Sequence, residues 1–411
     1  MRHLKKVFLI LFVFAIGCGE PEIEDVFVES VAYSTVPIFT VLENYVTAPL
    51  ENHDQIHLGV NFIVDTSPLS NQISNFENIA GQHAIFTNTI YLGENLPEMW
   101  LWEMLALGRT PNIILQPTNI ISPFERVPLR ELARQLGNFH MPMFLHIFPE
   151  ARSHGYHPVY YIDFLRYARE VFRKYAPQIA LVFTIYEGDV LDFWDFYPGH
   201  DYVDWVAINH YVVLENGISL EQGTLSRLDA FYQSFARYKP VMVSFGVSHF
   251  STANHMYHTL SAGQFLQEFY EEILTNFLRV GAIVYKDINF IDYASQRNNT
   301  DNFSISDNQI VLQYYKMVTE NNIFSREIVL SESVETDQII RSSFFAVIRD
   351  NKIFLPHNFL FYQTNLSGVY LNQYLLPHRK EIMDQIFYNS HVLLNLGLDI
   401  QLKNDRIIIN F

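Results

Sequence analysis

Short apolar runs alternate with amphipathic patterns from about residue 55 to residue 290. This alternation is typical of βα units that build a parallel sheet. Eight runs predict strands, and eight parallel strands with helices between them close a (β/α)8 barrel, also called a TIM barrel. The predicted strands are Ile56–Ile63, His83–Thr87, Asn112–Gln116, Met143–Phe148, Ile179–Thr184, Trp205–Asn209, Val241–Ser244 and Ala282–Lys286.

Between these runs, apolar side chains recur at helical spacing and predict helices that pack one face on the barrel. The clearest are Pro128–Leu136, Val159–Tyr175 and Ala262–Leu278. A polar loop at 292–308 precedes a closing helix, predicted at Gln309–Asn321. We therefore place the barrel at 51–324.

The pattern changes after residue 324, and a chain of 411 residues suggests a second domain. Residues 325–337 show no period and are predicted to be a linker. Within 338–411, two turn signals predict two hairpins, and Lys380–Asn395 is compatible with a helix. We expect a small α+β domain here. The hairpin strands are Ser342–Arg349 with Lys352–Phe354, and Leu398–Leu402 with Arg406–Phe411.

The amino terminus has the pattern of a secretion signal. Met1–Lys6 is basic, and the apolar run Val7–Gly17 is too short to span a bilayer comfortably. Ala15–Cys18 resembles a bacterial lipobox. We predict a signal peptide at 1–17, a lipid on Cys18, a tether at 18–50 and a location on the outer face of a bacterial cell membrane. An uncleaved anchor or an ordinary secretory signal is the alternative.

Charge and motifs exclude several classes of function. The formal net charge is −17, so the basic surface that nucleic-acid binding requires is absent, and anionic substrates would need a local positive patch. Cys18 is the only cysteine, which rules out an intramolecular disulfide. The spacing of His249, His255 and His258 fits no standard zinc motif. No phosphate-binding or nucleophile-elbow motif occurs, and we predict no metal and no cofactor.

The stretch Tyr197–Trp205 combines a Pro-Gly turn with a short capped helix, and Val206–Tyr211 continues it as a strand with a polar, aromatic tip. Carboxyl-terminal strand tips carry the chemistry of β/α barrels. This stretch, with Lys239–Ser244, resembles glycoside hydrolase family 26. The resemblance implies a barrel that acts on a β-linked polysaccharide, as an endo-mannanase does. Residues 374–382 and 396–411 resemble the stalk domain named after the copper amine oxidase amino terminus, for which we predict no copper chemistry.

The family resemblance assigns the first catalytic carboxylate. Its fourth strand ends in a Glu that acts as general acid and base, and Glu150 matches that position. The family has Arg where this chain has His146, and Glu-Met-Asn where it has Glu150-Ala151-Arg152. A Glu150–Arg152 ion pair of structural or surface character is the alternative.

The second carboxylate is missing from its expected position. Family members carry a nucleophilic Glu at the tip of the seventh strand, whereas here Ser244 runs directly into Phe245, so the Glu is absent by substitution or by a one-residue deletion. Glycosidases use two carboxylates, and serine is a weak nucleophile without a base such as a nearby His249. Glu187, Asp189, Asp287 and Asp65 also follow predicted strands. We take Glu187 and Asp287 as candidate partners of Glu150, with loop hydrogen bonding or helix capping as the alternative.

The resemblance matches Tyr211 to an aromatic residue that neighbours the nucleophile or stacks on sugar. Other polar and aromatic side chains near strand tips are predicted to bind the glycan. Together the candidate binding residues are His146, Arg152, Tyr186, Trp194, His210, Tyr211, His249 and Tyr285.

Three functions remain open from the sequence. The first is a surface-anchored glycoside hydrolase that acts on a β-linked polysaccharide. The second is a catalytically inactive pseudo-glycosidase that binds cell-wall or extracellular glycan. The third is a structural envelope protein whose cleft is closed.

Overall fold

The computed structural model describes residues 34–52, 54–62, 69–119, 122–190, 193–214, 222–251, 255–293, 301–328, 335–349, 352–357, 359–360, 379–382, 385–390, 398–403 and 406–410. The helices are α1 Leu69–Ala80, α2 Glu98–Leu107, α3 Arg126–Gly137, α4 Pro158–Tyr175, α5 Gln222–Phe235, α6 Thr259–Asn276 and α7 Gln309–Thr319. The strands are β1 Ser34–Val46, β2 Ile56–Asn61, β3 Ile85–Tyr91, β4 Thr110–Gln116, β5 Met143–Ile147, β6 Ile179–Tyr186, β7 Trp205–Val213, β8 Val241–Ser248, β9 Phe250–Ser251, β10 Met256–Tyr257, β11 Val280–Lys286, β12 Phe324–Ser325, β13 Glu335–Arg349, β14 Lys352–Pro356, β15 Arg379–Ile382, β16 Gln385–Asn389, β17 Asp399–Lys403 and β18 Arg406–Asn410.

Strands β2 to β8 and β11 form a closed parallel barrel. Each pairs with the next in chain order, and β11 returns to β2 with Ala282 opposite His57 and Lys286 opposite Asn61. All eight predicted strands are confirmed. The four predicted helices are confirmed as α3, α4, α6 and α7.

Alternation along the strands separates two buried layers. Trp205 and Ala207 point into the barrel, where they meet Phe144 and Met242. Val206 and other residues of the opposite parity point outward into the layer beneath the helices. Both faces of the parallel sheet are therefore buried, as this architecture requires.

The Tyr197–Trp205 motif fixes the start of β7. Asp204 accepts hydrogen bonds from the backbone nitrogen of Leu181 at 2.9 Å and from Arg169 at 2.7 Å. The Trp205 indole donates to the Pro49 carbonyl at 2.7 Å. The motif therefore ties β7 to β6 and α4 and sets which β7 residues reach the barrel mouth.

The carboxyl-terminal region is built on antiparallel strands. A seven-stranded sheet has the order β15-β16-β14-β13-β1-β18-β17. Both predicted hairpins are confirmed as β13–β14 and β17–β18. The helix predicted at Lys380–Asn395 is wrong over β15 and β16, which form a third hairpin. Phe387 and Tyr388 are both buried, so β16 has apolar side chains on both faces. A short run of consecutive apolar residues does not distinguish a buried strand from a helix by its period.

Strand β1 lies within the segment predicted to be a tether. It pairs antiparallel with β13 over Ser34–Val46 and parallel with β18 over Ile38–Thr40. Val36, Ile38 and Thr40 are buried at alternating positions, which is the period of a strand. Residues 34–46 therefore belong to the carboxyl-terminal sheet rather than to a solvated tether. The signal peptide and Cys18 lie outside the described residues.

Among the described residues, none of the helices combines the length and the apolar character that crossing a membrane requires.

Candidate active site

The barrel mouth at the carboxyl ends of the strands is lined mainly by amides and hydroxyls. Strand alternation, anchored by the interior cluster around Trp205, identifies the inward-facing positions. Tyr186, exposed by 38%, stands at the rim. The inward-facing polar residues towards this end are Asn61, Thr87, Asn112, Gln116, His146, Thr184, Tyr186, Asn209, Tyr211, Ser244 and Lys286.

Glu150 is positioned by a strained turn at the end of β5. Phe148 and Glu150 have φ of 47° and 58°, in the left-handed region that non-glycine residues rarely adopt. The Glu150 backbone nitrogen donates to the Thr184 carbonyl at 3.0 Å, and Asn209 Nδ2 donates to Glu150 Oε1 at 2.6 Å. Strain of this kind persists where surrounding contacts hold it, as they commonly do at functional sites.

Ser244 faces the cleft from the middle of β8. It lies opposite Asn209 in the β7–β8 register and shares a side-chain hydrogen bond with Tyr211. The next residue, Phe245, points outward and stacks on Phe269 with ring centroids 3.8 Å apart. Burial raises the pKa of the Tyr211 hydroxyl well above its ordinary value, with a smaller contribution from the charge of Glu150. The inward position beside Glu150 and Asn209 is therefore occupied by a hydroxyl.

Glu187 lies against the outer side of β7. Its Oε2 is 2.6 Å from His210 Nδ1, and the His210 side chain is fully buried. The His210 ring stacks near Phe245 and Phe269 at 6.1 and 5.6 Å, in the layer between strands and helices. The carboxylate of Glu187 is thus directed towards this layer and away from the cleft.

Asp287 is held by the loop that follows the barrel. Its carboxylate accepts hydrogen bonds from the hydroxyls of Ser304 and Ser306 and from the backbone nitrogens of Ile305 and Ser306, at 2.7 to 3.1 Å. Burial raises the pKa of Asp287, and these bonds oppose the rise. Asp287 also lines a pocket of about 320 Å³ formed with α1 residues such as Phe76, and Glu150 is not among the residues that line it.

Three of the predicted binding residues, His210, Tyr285 and His249, are buried away from the mouth. Tyr285 is fully buried and packs edge-on against Phe245 and Tyr315. His249 is buried with its backbone nitrogen bonded to the Asn302 carbonyl at 2.9 Å, and burial lowers its pKa to about 4.

Arg152 follows β5 at the mouth, whereas Trp194 lies on the outer side of the barrel, with its ring 5.1 Å from that of Phe235, the last residue of α5. Arg152 lies 3.6 Å from Asp189 Oδ1, and Asp189 also accepts from Ser153. Trp194 is 46% exposed and packs on Phe193. Asp65 lies outside the described residues.

His146 belongs to a buried hydrogen-bonded chain across the barrel interior. Its Nδ1 is 2.6 Å from Thr184 Oγ1 and its Nε2 is 2.7 Å from Asn112 Oδ1, while Asn112 donates to Thr87 at 3.0 Å. Desolvation lowers the pKa of His146 to about 3. The Thr184 carbonyl also accepts a hydrogen bond from the Glu150 backbone nitrogen. These buried hydrogen bonds therefore support the turn that carries Glu150.

The pKa of His146 gives a pH-dependent stability. Between pH 6.5 and about 3 the unfolded chain binds a proton at this residue that the folded protein does not. Stability is therefore lost as the pH falls through this window, by about 1.4 kcal/mol per pH unit. We expect the His146→Gln variant to show a shallower decline in its free energy of unfolding between about pH 6 and pH 4. Urea unfolding at each pH measures this, and parallel declines in both proteins would contradict it.

Sequence reasoning did not single out Asn209, Asn112, Thr184 or Lys286. Asn209 follows Trp205 and Ala207 at a spacing of two, so strand alternation was the available signal. Asn112, Thr184 and Lys286 also lie on strands whose side chains alternate. The alternation tells which of them face the barrel interior only once one inward-facing residue of each strand is known.

Within the part of the chain that the structure describes, no group of three or more His, Cys, Asp or Glu side chains is arranged to hold a metal ion.

Comparisons with known proteins identify the fold. No family model and no curated protein matches the sequence. Among solved structures, the chain is similar to a modular endo-β-1,4-mannanase of glycoside hydrolase family 26 from Cellulomonas fimi, with 16% identity over 72% of this chain and 80% of that chain and a TM-score of 0.52. An engineered protein gives 15% identity over 71% and 75%, with a TM-score of 0.51. At such identities the similarity shows the (β/α)8 barrel fold and nothing finer.

Proposed function

We propose that this protein binds a β-linked polysaccharide in the cleft beside Glu150 and does not hydrolyse it. The observation that carries the proposal is Ser244, which occupies the inward position where a second carboxylate would be required. The similarity in fold to a mannanase supports a glycan as the ligand.

Hydrolysis of a glycosidic bond needs more than Glu150. Retaining enzymes place two carboxylates about 5–5.5 Å apart, and inverting enzymes place them about 6.5–9.5 Å apart. The two candidate partners are engaged elsewhere, Glu187 with His210 and Asp287 with the loop at 304–306. Tyr211 does not activate Ser244 as a nucleophile. The raised pKa of the Tyr211 hydroxyl keeps it protonated near neutral pH, so it cannot accept the serine proton.

The cleft retains features that suit a sugar. Amides and hydroxyls such as Asn61, Gln116 and Asn209 offer donors and acceptors to sugar hydroxyl groups. Tyr186 presents an exposed ring at the rim. Concave sites that combine aromatic walls with a few polar groups are typical of ligand binding.

Two measurements on the purified protein test the proposal. We expect no reducing-sugar release from mannans, glucans, xylans or peptidoglycan above that of the Glu150→Gln variant. We also expect the protein to be retained on at least one of these glycans. Retention should fall for Tyr186→Ala and be unchanged for Trp102→Ala, an exposed aromatic residue on α2.

Release that disappears in the Glu150→Gln variant would overturn the inactive part of the proposal. Absence of retention on every glycan would overturn the binding part. Anchoring at the outer face of a bacterial membrane through Cys18 is a further part of the proposal, and it is supported by the leader pattern alone.

A further inference from the structure

A lysine lies in the cleft beside the position where the carboxylate is missing. Lys286 ends β11 on the inward face, and its Nζ is 3.8 Å from the centroid of the Tyr211 ring. The rings of Phe290 and Phe303 lie 5.0 Å from the same nitrogen. Three aromatic rings thus hold the ammonium group through cation–π contacts and shield it partly from water.

Gly246 permits this arrangement. A Cβ at this position would lie 3.1 Å from Lys286 Cβ and 3.1 Å from Phe303 Cδ1. Contacts of that length are tighter than ordinary packing, so a larger residue would displace the lysine stem or the phenylalanine ring. The close approach of β8, β11 and the loop that carries Phe303 therefore depends on the glycine.

The ammonium, a phenol and a hydroxyl converge at one place. Tyr211 contacts Lys286 through its ring and Ser244 through its hydroxyl. We infer that the cleft binds a carboxylated glycan, a polymer of uronic acid, whose carboxylate lies against Lys286, Ser244 and Tyr211. This inference rests on the proposed function, since it names the class of glycan that the same cleft takes.

Charge within the cleft is compatible with an anionic ligand despite the net charge of −17. Glu150 follows β5, which is four strands from β11 in the closed barrel of eight. The carboxylate of Glu150 is held by Asn209 on β7, and the ammonium of Lys286 reaches the cleft from β11, two strands further round the barrel. A cation in surroundings of low dielectric attracts an anion more strongly than a surface lysine does, so a local site overrides the average field.

A matched pair of polymers tests the inference. Polymannuronate and β-mannan share one backbone, and they differ in a carboxylate in place of the hydroxymethyl group. We expect the full-length protein to bind polymannuronate at least about tenfold more tightly than β-mannan, measured by isothermal titration calorimetry at low salt. Lys286→Met should abolish this preference, and Lys286→Arg should keep it. Lys174→Met, which removes a lysine over the Tyr175 ring on α4, should change nothing.

The outcomes separate the two proposals. Equal affinities for both polymers, or a preference that survives in Lys286→Met, would overturn the inference and leave the proposed function in place. No binding of either polymer, together with none to the wider glycan panel, would overturn both. If Lys286→Met does not fold, the wild-type preference decides: we expect it to shrink as salt is raised, and a preference insensitive to salt would count against an ionic contact.

Discussion

The Ser244→Glu variant is expected to release reducing sugar from a neutral β-linked glycan at least about 100-fold faster than the wild-type protein, the scale on which a positioned acid or base contributes. The substitution places a carboxylate on the inward face of β8 opposite Asn209, one inward-facing position before Gly246, which is level with Tyr211 and Lys286. A neighbouring ammonium favours the ionised form of that carboxylate, as a nucleophile or base requires. Glu150 would then supply the acid on the opposite side of the bond.

Two variants control this prediction. Ser244→Gln adds the same bulk without the charge and is expected to stay inactive. Ser244→Glu combined with Glu150→Gln should lose the activity that the single change creates. A folded Ser244→Glu protein that binds the glycan yet releases no sugar would show that the cleft lacks more than one carboxylate. The same variant should bind polymannuronate less well, since the new carboxylate competes for Lys286.

Arg279→Met is expected to destabilise the barrel by about 3–5 kcal/mol, the cost of leaving a buried charge unpaired. Arg279 Nε lies 2.8 Å from Glu51 Oε1, with side-chain exposures of only 6% and 2%. Arg279 also donates to the Ala236 carbonyl at 3.1 Å, and Glu51 Oε2 accepts from the Ala48 nitrogen at 2.9 Å. This pair closes the amino-terminal end of the barrel, far from the chemistry, where residues serve stability.

Urea unfolding followed by tryptophan fluorescence measures the effect on the barrel. Combining Arg279→Met with Glu51→Gln should recover part of the loss, because the remaining partner no longer carries a charge. Arg134→Met is the matched control, since its pair with Glu131 spans 3.7 Å at exposures of 50% and 57%, and solvent screening should leave the free energy of unfolding nearly unchanged. A loss of similar size in Arg279→Met and Arg134→Met would contradict the prediction.

Elements with a sustained period were predictable from the sequence. Each barrel strand was found because parallel strands buried on both faces read as apolar runs. Helices α3 and α4 were found because one face is apolar at a spacing of 3.6 residues. Failures arose where the local pattern is ambiguous: β16 is too short to distinguish from a helix by period, and β1 becomes a strand only through its pairing with β13, about 300 residues away.

The candidate site was predictable only in part, because neighbours across the barrel are set by register. Glu150 and Tyr211 were recognised from strand tips and from the family resemblance, and the missing carboxylate was visible at Ser244. The sequence did not reveal whether the side chains of Glu187 and Asp287 would face the cleft or the outer layer of the barrel. A shift of one residue reverses the direction of every side chain on a strand.

The sequence by itself determined the number of barrel strands, most of their helices and the presence of a serine rather than an acidic residue at position 244, because these follow from local periods and residue identities. Only the tertiary structure decided that Glu187 pairs with His210 behind β7, that Asn209 holds Glu150, and that Lys286 lies over Tyr211. These contacts join strands that are distant in the chain. They are fixed by pairing register and barrel closure, which depend on the whole sheet rather than on any single segment.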